Sequence, residues 1–141
     1  MGKQKIHLIS RISLFLVYFW FGILKVFSLS PADEIVLHLH QVTIPFIPFD
    51  LFFIALGLFE TLLGIAFLIP KITKYAIPVM MAHMFTTMLP LLLLPQYVWD
   101  GFLVPNLLGQ YILKNVVLIS LGLMLFVETR EKQSIVSKPP Q

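Results

Sequence analysis

The sequence predicts an all-α integral membrane protein: a four-helix bundle of membrane spans with a short interfacial helix in the first outer loop. Three observations carry that expectation. The chain of 141 residues is 58% hydrophobic and 12% charged, about half the charged share of an ordinary soluble domain, so a water-facing fold lacks the polar side chains to cover it. Four runs approach the roughly 20 apolar residues that a helix needs to cross a hydrocarbon core. Lys and Arg fall on one side of those runs.

The first span is expected over residues 8–29, after a cytoplasmic segment 1–7. It does not read as a signal peptide, because Arg11 and Lys25 bracket it, it is as long as a full span, and no small-x-small cleavage site follows. Ser30 then suits an N-cap, Pro31 a first helical position, and Asp33 and Glu34 a first turn, which predicts a short interfacial helix over 31–41. The stretch Ile44-Pro45-Phe46-Ile47-Pro48-Phe49 reads as extended and proline-stiffened. The second span is expected over 51–69, between Asp50 and Pro70, and the third over 75–94, ending at Pro95. With only residues 71–74 between them, these two form an antiparallel hairpin. Pro78 and Pro90 fall within the third span, where a membrane helix tolerates proline and bends. Tyr97, Trp99, Phe102, Pro105 and Asn106 make residues 95–108 an aromatic interfacial loop. The fourth span, over 109–127, stops at the charged run Glu128-Thr129-Arg130-Glu131-Lys132, and 128–141 reads as a flexible cytoplasmic tail.

Lys3, Lys5, Lys71, Lys74, Arg130, Lys132 and Lys138 share one side, whereas the two long loops carry only Asp33, Glu34 and Asp100. Under the positive-inside rule both termini are cytoplasmic, and the expected location is the inner membrane of a bacterium. The sequence pI near 9.3 does not point to nucleic acid, because the basic residues are few and dispersed. Without cysteine, the chain has no disulfide exchange, thiolate catalysis or thiolate metal ligation of its own.

Arg11, Lys25, Glu60, His83 and Lys114 are ionisable residues inside spans, where an unpaired charge at mid-span costs at least about 2.5–3.5 kcal/mol. Arg11, near the cytoplasmic end, is expected to snorkel to lipid phosphate. Lys25 and Lys114 fall in the outer thirds of their spans, and Glu60 and His83 near mid-span. Spacings of three and four align Arg11, Phe15, Tyr18, Gly22 and Lys25; Phe53, Gly57, Glu60 and Gly64; Met80, His83, Thr87 and Pro90; and Asn106, Gln110 and Lys114, with Asn115 adjacent. Glycines beside Glu60 permit close helix approach. The pattern has two readings. In one, Glu60 pairs with Lys25 or Lys114 only to fix helix register. In the other, Tyr18, Lys25, Glu60, His83, Lys114 and Asn115 line a polar, outward-opening pocket with surplus positive charge, suited to an anionic or carbonyl-bearing ligand such as a quinone headgroup, with Glu60 and His83 as proton carriers. No spacing points to a metal. His38 and His40, two apart on a predicted helix, face apart, and His7 stands alone. No catalytic residue can be assigned.

At these residues the chain resembles the DoxX and DoxX-like membrane proteins. The resemblance rests on Gly22 and Lys25 ending the first span, on Glu60, Gly64 and Leu68 at steps of four in the second, and on Leu113-Lys114-Asn115 in the fourth, and it extends over nearly the whole chain. It implies a compact four-helix bundle. The family's founding member is a subunit of a thiosulfate:quinone oxidoreductase or terminal quinol oxidase. Other members are linked to oxidative-stress complexes, and animal relatives assist receptor assembly. This chain lacks cysteine, a haem-ligand histidine pair and a flavin motif, so it has no intrinsic cofactor, and electron transfer would need a partner's.

Three functions follow as expectations: a membrane subunit of a quinone-linked oxidoreductase, a non-enzymatic scaffold or assembly factor, and a small-molecule or proton pathway. The partners expected are the lipid bilayer and either a protein partner or a second copy of the chain.

Overall fold

The computed structural model describes residues 2–136. Ten elements follow in order: α1 Lys3–Val26, α2 Asp33–Thr43, α3 Phe49–Leu68, α4 Pro70–Thr87, α5 Pro90–Leu93, α6 Pro95–Val98, β1 Trp99–Gly101, β2 Val104–Pro105, α7 Leu107–Leu113 and α8 Asn115–Val136. Four helical stretches, Gln4–Val26, Phe49–Leu68, Pro70–Leu93 and Leu107–Thr129, are long and apolar enough to cross a membrane. Large apolar side chains face outward along all four. Trp20, Leu62, Phe85 and Val117 are between 61% and 72% exposed, an apolar surface suited to contact with a lipid bilayer.

α1 and α3 form the closest pair, and glycine is the cause. A methyl group placed on Gly57 would lie 2.8 Å from the Gly22 carbonyl oxygen, and one on Gly64 2.7 Å from the Phe19 nitrogen. Two helices meet this closely only where side chains are absent, the usual device for helix association in lipid. Around the crossing, Leu14, Tyr18, Leu63, Phe67, Ile77, Met80 and Leu125 form the core, drawn from α1, α3, α4 and α8.

Helix boundaries follow local chemistry. α1 ends in a Schellman turn: Ser28 adopts φ 55°, and the Leu29 N–H donates to the Leu24 carbonyl at 2.8 Å. Ala32 holds the N-cap position of α2, and the Ser30 hydroxyl accepts from the Ala32 N–H at 3.2 Å. The helix accordingly starts two residues later than expected from Pro31. Residues 44–47 are not extended. The Ile47 N–H reaches the Ile44 carbonyl at 3.3 Å, closing a turn with Pro45 at its first corner, where proline's fixed φ is favoured. Ile69 alone separates α3 from α4, so Lys71 and Lys74 lie inside α4, not in a turn. Pro70 starts that helix with a φ already set for it. α4 passes through Pro78 and breaks at Met88–Leu89, ahead of Pro90. There the Leu89 N–H takes up the Thr86 carbonyl at 3.2 Å, and the Thr86 and Thr87 hydroxyls donate to the His83 and Met84 carbonyls at 2.7 and 2.8 Å. Between α6 and α7 a small antiparallel hairpin, β1–β2, carries Phe102 and Leu103 at its tip. Trp99 Nε1 donates to the Leu91 carbonyl at 3.0 Å and ties the hairpin to α5. α8 continues to Val136, past the charged run at residue 128. Lys138 and the rest of 137–141 lie outside the described residues.

Arg11 does not reach outward as expected. Its Nε donates to the Phe67 carbonyl at 2.6 Å and its guanidinium also bonds the Leu68 carbonyl. The last carbonyls of α3 have no intrahelical partner, and a cation at the negative end of a helix dipole satisfies both needs. His7 of α1 pairs with Glu128 of α8. These contacts bring the start of α1, the α3–α4 junction and the late part of α8 to one end of the molecule. Lys3, Lys5, Lys71 and Lys74 belong to that lysine-bearing end by position. The opposite, loop end carries α2 and the hairpin. Arg11→Ala is expected to lower stability by about 1–3 kcal/mol, read as an earlier thermal transition in detergent, because the Phe67 and Leu68 carbonyls at the end of α3 lose their charged donor.

Candidate functional site

The buried polar side chains of α1, α3 and α4 meet at one place. Lys25 belongs to the last turn of α1, where the helix dipole favours its ammonium. It lies two turns beyond Tyr18 on the same face. Glu60 lies three residues after Gly57, so the close glycine crossing brings its carboxylate to α1. His83 faces both from α4. Lys25 Nζ donates to Glu60 Oε2 at 2.6 Å, and His83 Nε2 lies 3.4 Å from Glu60 Oε1. Tyr18 Oη and His83 Nδ1 are 3.4 Å apart. The four groups form a continuous chain, Lys25–Glu60–His83–Tyr18, that leaves α1, crosses α3 and α4, and returns to α1. Lys25 and Glu60 are each 6% exposed. The Phe59 ring packs edge-on to His83 at 5.3 Å and helps close the cluster off.

This cluster borders a cavity of about 410 Å³ on its loop-end side. That volume lies within the usual range for small-molecule sites, roughly 300–1,000 Å³. The walls are almost wholly apolar: Val17 and Phe21 from α1, Val36 and Leu39 from α2, Leu56 from α3 and Leu118 from α8. Lys25 and Tyr18 line it directly, whereas Glu60 and His83 stand behind them. Asn115 also lines it, and its Nδ2 donates to Thr87 Oγ1 at 3.0 Å. Phe21 and Tyr111, with ring centroids 6.2 Å apart, connect α1 to α7 across one side.

Of the residues singled out in the sequence, Tyr18, Lys25, Glu60 and His83 come together and Asn115 joins them at the cavity wall. Lys114 does not. It is exposed, and among the described residues it has no ion-pair partner. The expected stripe through Asn106, Gln110 and Lys114 assumed one unbroken helix. Asn106 is instead the N-cap of α7, its Oδ1 accepting from the Gly109 N–H at 3.0 Å, and the chain breaks again at Lys114 between α7 and α8. The inward residues of α7 are Gly109 and Ile112, one step out of phase with that stripe.

The sequence reading missed the α2 wall. His38 and His40 do face apart, His38 stacking on Tyr97 at 4.2 Å and His40 meeting Phe52 at 5.0 Å. His40, however, is 5% exposed and lines the cavity. The spacing of Val36, Leu39, His40 and Thr43 marks one helical face and was the available signal. Compared with known proteins, the chain matches no family model, no curated protein and no solved structure.

Proposed function

We propose that the protein is a four-helix bundle of a bacterial inner membrane, with both termini cytoplasmic and the loop end outward. In this reading it acts as the DoxX-like membrane subunit of a quinone-linked oxidoreductase. One observation carries the proposal: a ligand-sized apolar cavity whose polar corner is Tyr18 and Lys25, backed by Glu60 and His83. A quinone headgroup is an apolar ring with carbonyl oxygens, and such a cavity suits it. Lys25 Nζ, with one N–H directed at Glu60, has two more to offer a carbonyl. Glu60 and His83, in contact with each other and with Lys25 and Tyr18, can take up and pass on protons beside the ring without facing it. Reduction of a quinone to a quinol takes two electrons and two protons. The chain supplies groups for the protons, and a partner's cofactor would supply the electrons.

The test is a titration of the purified protein in lipid nanodiscs with menadione, followed by calorimetry. Saturable binding near one equivalent is expected. Tyr18→Phe, which keeps the ring and removes the hydroxyl at the cavity, is expected to weaken it about three- to tenfold, consistent with one lost hydrogen bond. Lys114→Ala is expected to leave it unchanged. Absence of saturable binding would overturn the proposal.

The second reading, a scaffold or assembly factor, draws on the hairpin tip. Phe102 is 93% exposed beside exposed Leu103. Photo-crosslinking from position 102 in native membranes would yield a defined protein adduct under that reading, and lipid adducts alone would argue against it.

A further inference from the structure

Most hydroxyl hydrogens on the cavity wall are already committed. Thr43, Thr86 and Thr87 all line the cavity. Each donates to a carbonyl of its own helix: Leu39 at 2.7 Å, His83 at 2.7 Å and Met84 at 2.8 Å. A threonine hydroxyl has one hydrogen, so these side chains keep only oxygen lone pairs for any other partner. Tyr18 is engaged in the same way. The Glu60 carboxylate only accepts, so a neutral His83 carries its hydrogen on Nε2 and takes the Tyr18 hydrogen at Nδ1, 3.4 Å away. The Tyr111 hydroxyl can donate or accept and so selects neither kind of ligand.

The state of Asn115 follows from that of Thr87. The two side chains meet at 3.0 Å. Because the Thr87 hydrogen goes to the Met84 carbonyl, Thr87 Oγ1 can only accept, and Asn115 must turn its NH2 group toward it. That fixes the amide orientation and leaves Oδ1 as an acceptor. Among the described residues nothing donates to Asn115 Oδ1. His40 Nε2 is sealed from a water-sized molecule, whereas Asn115 Oδ1 is not. We infer that Asn115 is a specificity-determining residue of the cavity: its Oδ1 accepts from a hydroxyl of the ligand. The cavity then favours a fused aromatic ring that bears such a hydroxyl, as the reduced form of a quinone does, over rings whose oxygens only accept. Thr87 is the positioning residue that aims the amide. Lys25 offers its N–H groups to an accepting oxygen of either ligand and does not tell them apart. This inference rests on the quinone-site reading and deepens it. A ligand without the hydroxyl fits the same apolar space but leaves Oδ1 unpaired, and a site built for a hydrogen bond discriminates against the analogue that cannot make it.

The experiment compares 4-methoxy-1-naphthol with 1-methoxynaphthalene, which keeps the rings and the ether oxygen and lacks the hydroxyl. Both are titrated by calorimetry against the full chain in nanodiscs, beside menadione. The unmodified protein is expected to bind the naphthol about three- to tenfold more tightly than 1-methoxynaphthalene, consistent with one hydrogen bond. Asn115→Leu, close in shape and without the amide, is expected to remove that preference by weakening the naphthol, with 1-methoxynaphthalene and menadione staying within about twofold. Thr87→Val, which frees the amide to turn, is expected to lose the preference too, and Thr87→Ser, which keeps the hydroxyl, to retain it. A spectroscopic readout needs no substitution. The chain has two asparagines, Asn106 and Asn115, so carbon-13 labelling of asparagine gives two side-chain carbonyl resonances. That of Asn115 is expected to shift on saturation with the naphthol and to hold with 1-methoxynaphthalene. That of Asn106, whose Oδ1 already accepts from the Gly109 N–H, is expected to hold with both. If menadione does not bind the unmodified protein, the quinone-site reading falls and this inference with it. If menadione binds but the naphthol shows no preference, or Asn115→Leu weakens all the compounds alike, or the Asn115 carbonyl does not respond, the role of Asn115 is overturned while the quinone-site reading stands.

Discussion

Lys25→Met is expected to destabilise the protein by about 3–5 kcal/mol, the usual consequence of removing one partner from a buried ion pair. Among the described residues, Glu60 then keeps its carboxylate between α1, α3 and α4 with only His83, at 3.4 Å, as a neighbour able to pair with it. Glu60→Gln alone is expected to cost a comparable amount, because the Lys25 ammonium at 6% exposure is left without its counter-charge. The double substitution Lys25→Met/Glu60→Gln is expected to regain most of the loss, since well-packed neutral groups replace a buried pair at little cost. In thermal unfolding followed by circular dichroism in detergent, each single variant should melt roughly 10 °C lower, with the double variant within a few degrees of the unmodified protein. Additive losses, with the double variant worse than either single, would show that the two charges do not depend on each other. The double variant also separates stability from function. It is expected to fold and to lose menadione binding, because the donor at the cavity corner is gone.

This coupling links the α1–α3 crossing to the cavity. The pair occupies the place where two helices approach without side chains between them, and it forms one corner of the space on the loop-end side. Whatever shifts α1 relative to α3 therefore alters the direction in which Lys25 presents its remaining N–H groups.

The meeting of Lys25, Glu60 and His83 was legible in the sequence because three isolated charges inside apolar runs have few places to go, and helical spacing put each on a glycine-bearing or polar stripe. The four long helices were legible for the same reason, from apolar length and from the prolines and charges that bound it. Lys114 was misplaced because its stripe began at Asn106, a residue that caps α7 from outside the helix. Nothing in the composition of residues 106–115 marks the second break at Lys114. Arg11 was misassigned because its partners, the Phe67 and Leu68 carbonyls, are backbone groups and leave no signature in side-chain pattern. His40 was passed over because the aromatic rings that clamp it come from residues 49 and 52, beyond a turn that the prolines had suggested was extended. Local spacing reports which face of a helix is buried. It does not report what a distant loop folds back to cover.

Gly57→Leu is expected to be at least as damaging as loss of Lys25, and Gly57→Ala to cost about 1–3 kcal/mol, whereas Gly122→Ala is expected to fall within about 0.5 kcal/mol of the unmodified protein. All three place a side chain on a buried glycine, so burial alone predicts no difference. What the new carbon meets makes the difference. At Gly57 it would lie 2.8 Å from the Gly22 carbonyl oxygen and 2.9 Å from the Val26 nitrogen, backbone atoms that move only if α1 moves. At Gly122 the nearest atom is the terminal methyl of Met80, the end of a flexible side chain that can swing aside, and alanine is also the better helix former. Parting α1 from α3 would stretch the 2.6 Å contact between Lys25 and Glu60, so Gly57→Ala should weaken menadione binding in the same preparation in which it lowers the melting temperature. Gly122→Ala should change neither. Equal stability of Gly57→Ala and Gly122→Ala would mean that the glycines do not set the distance between the helices, and the Lys25–Glu60 contact would then need another cause.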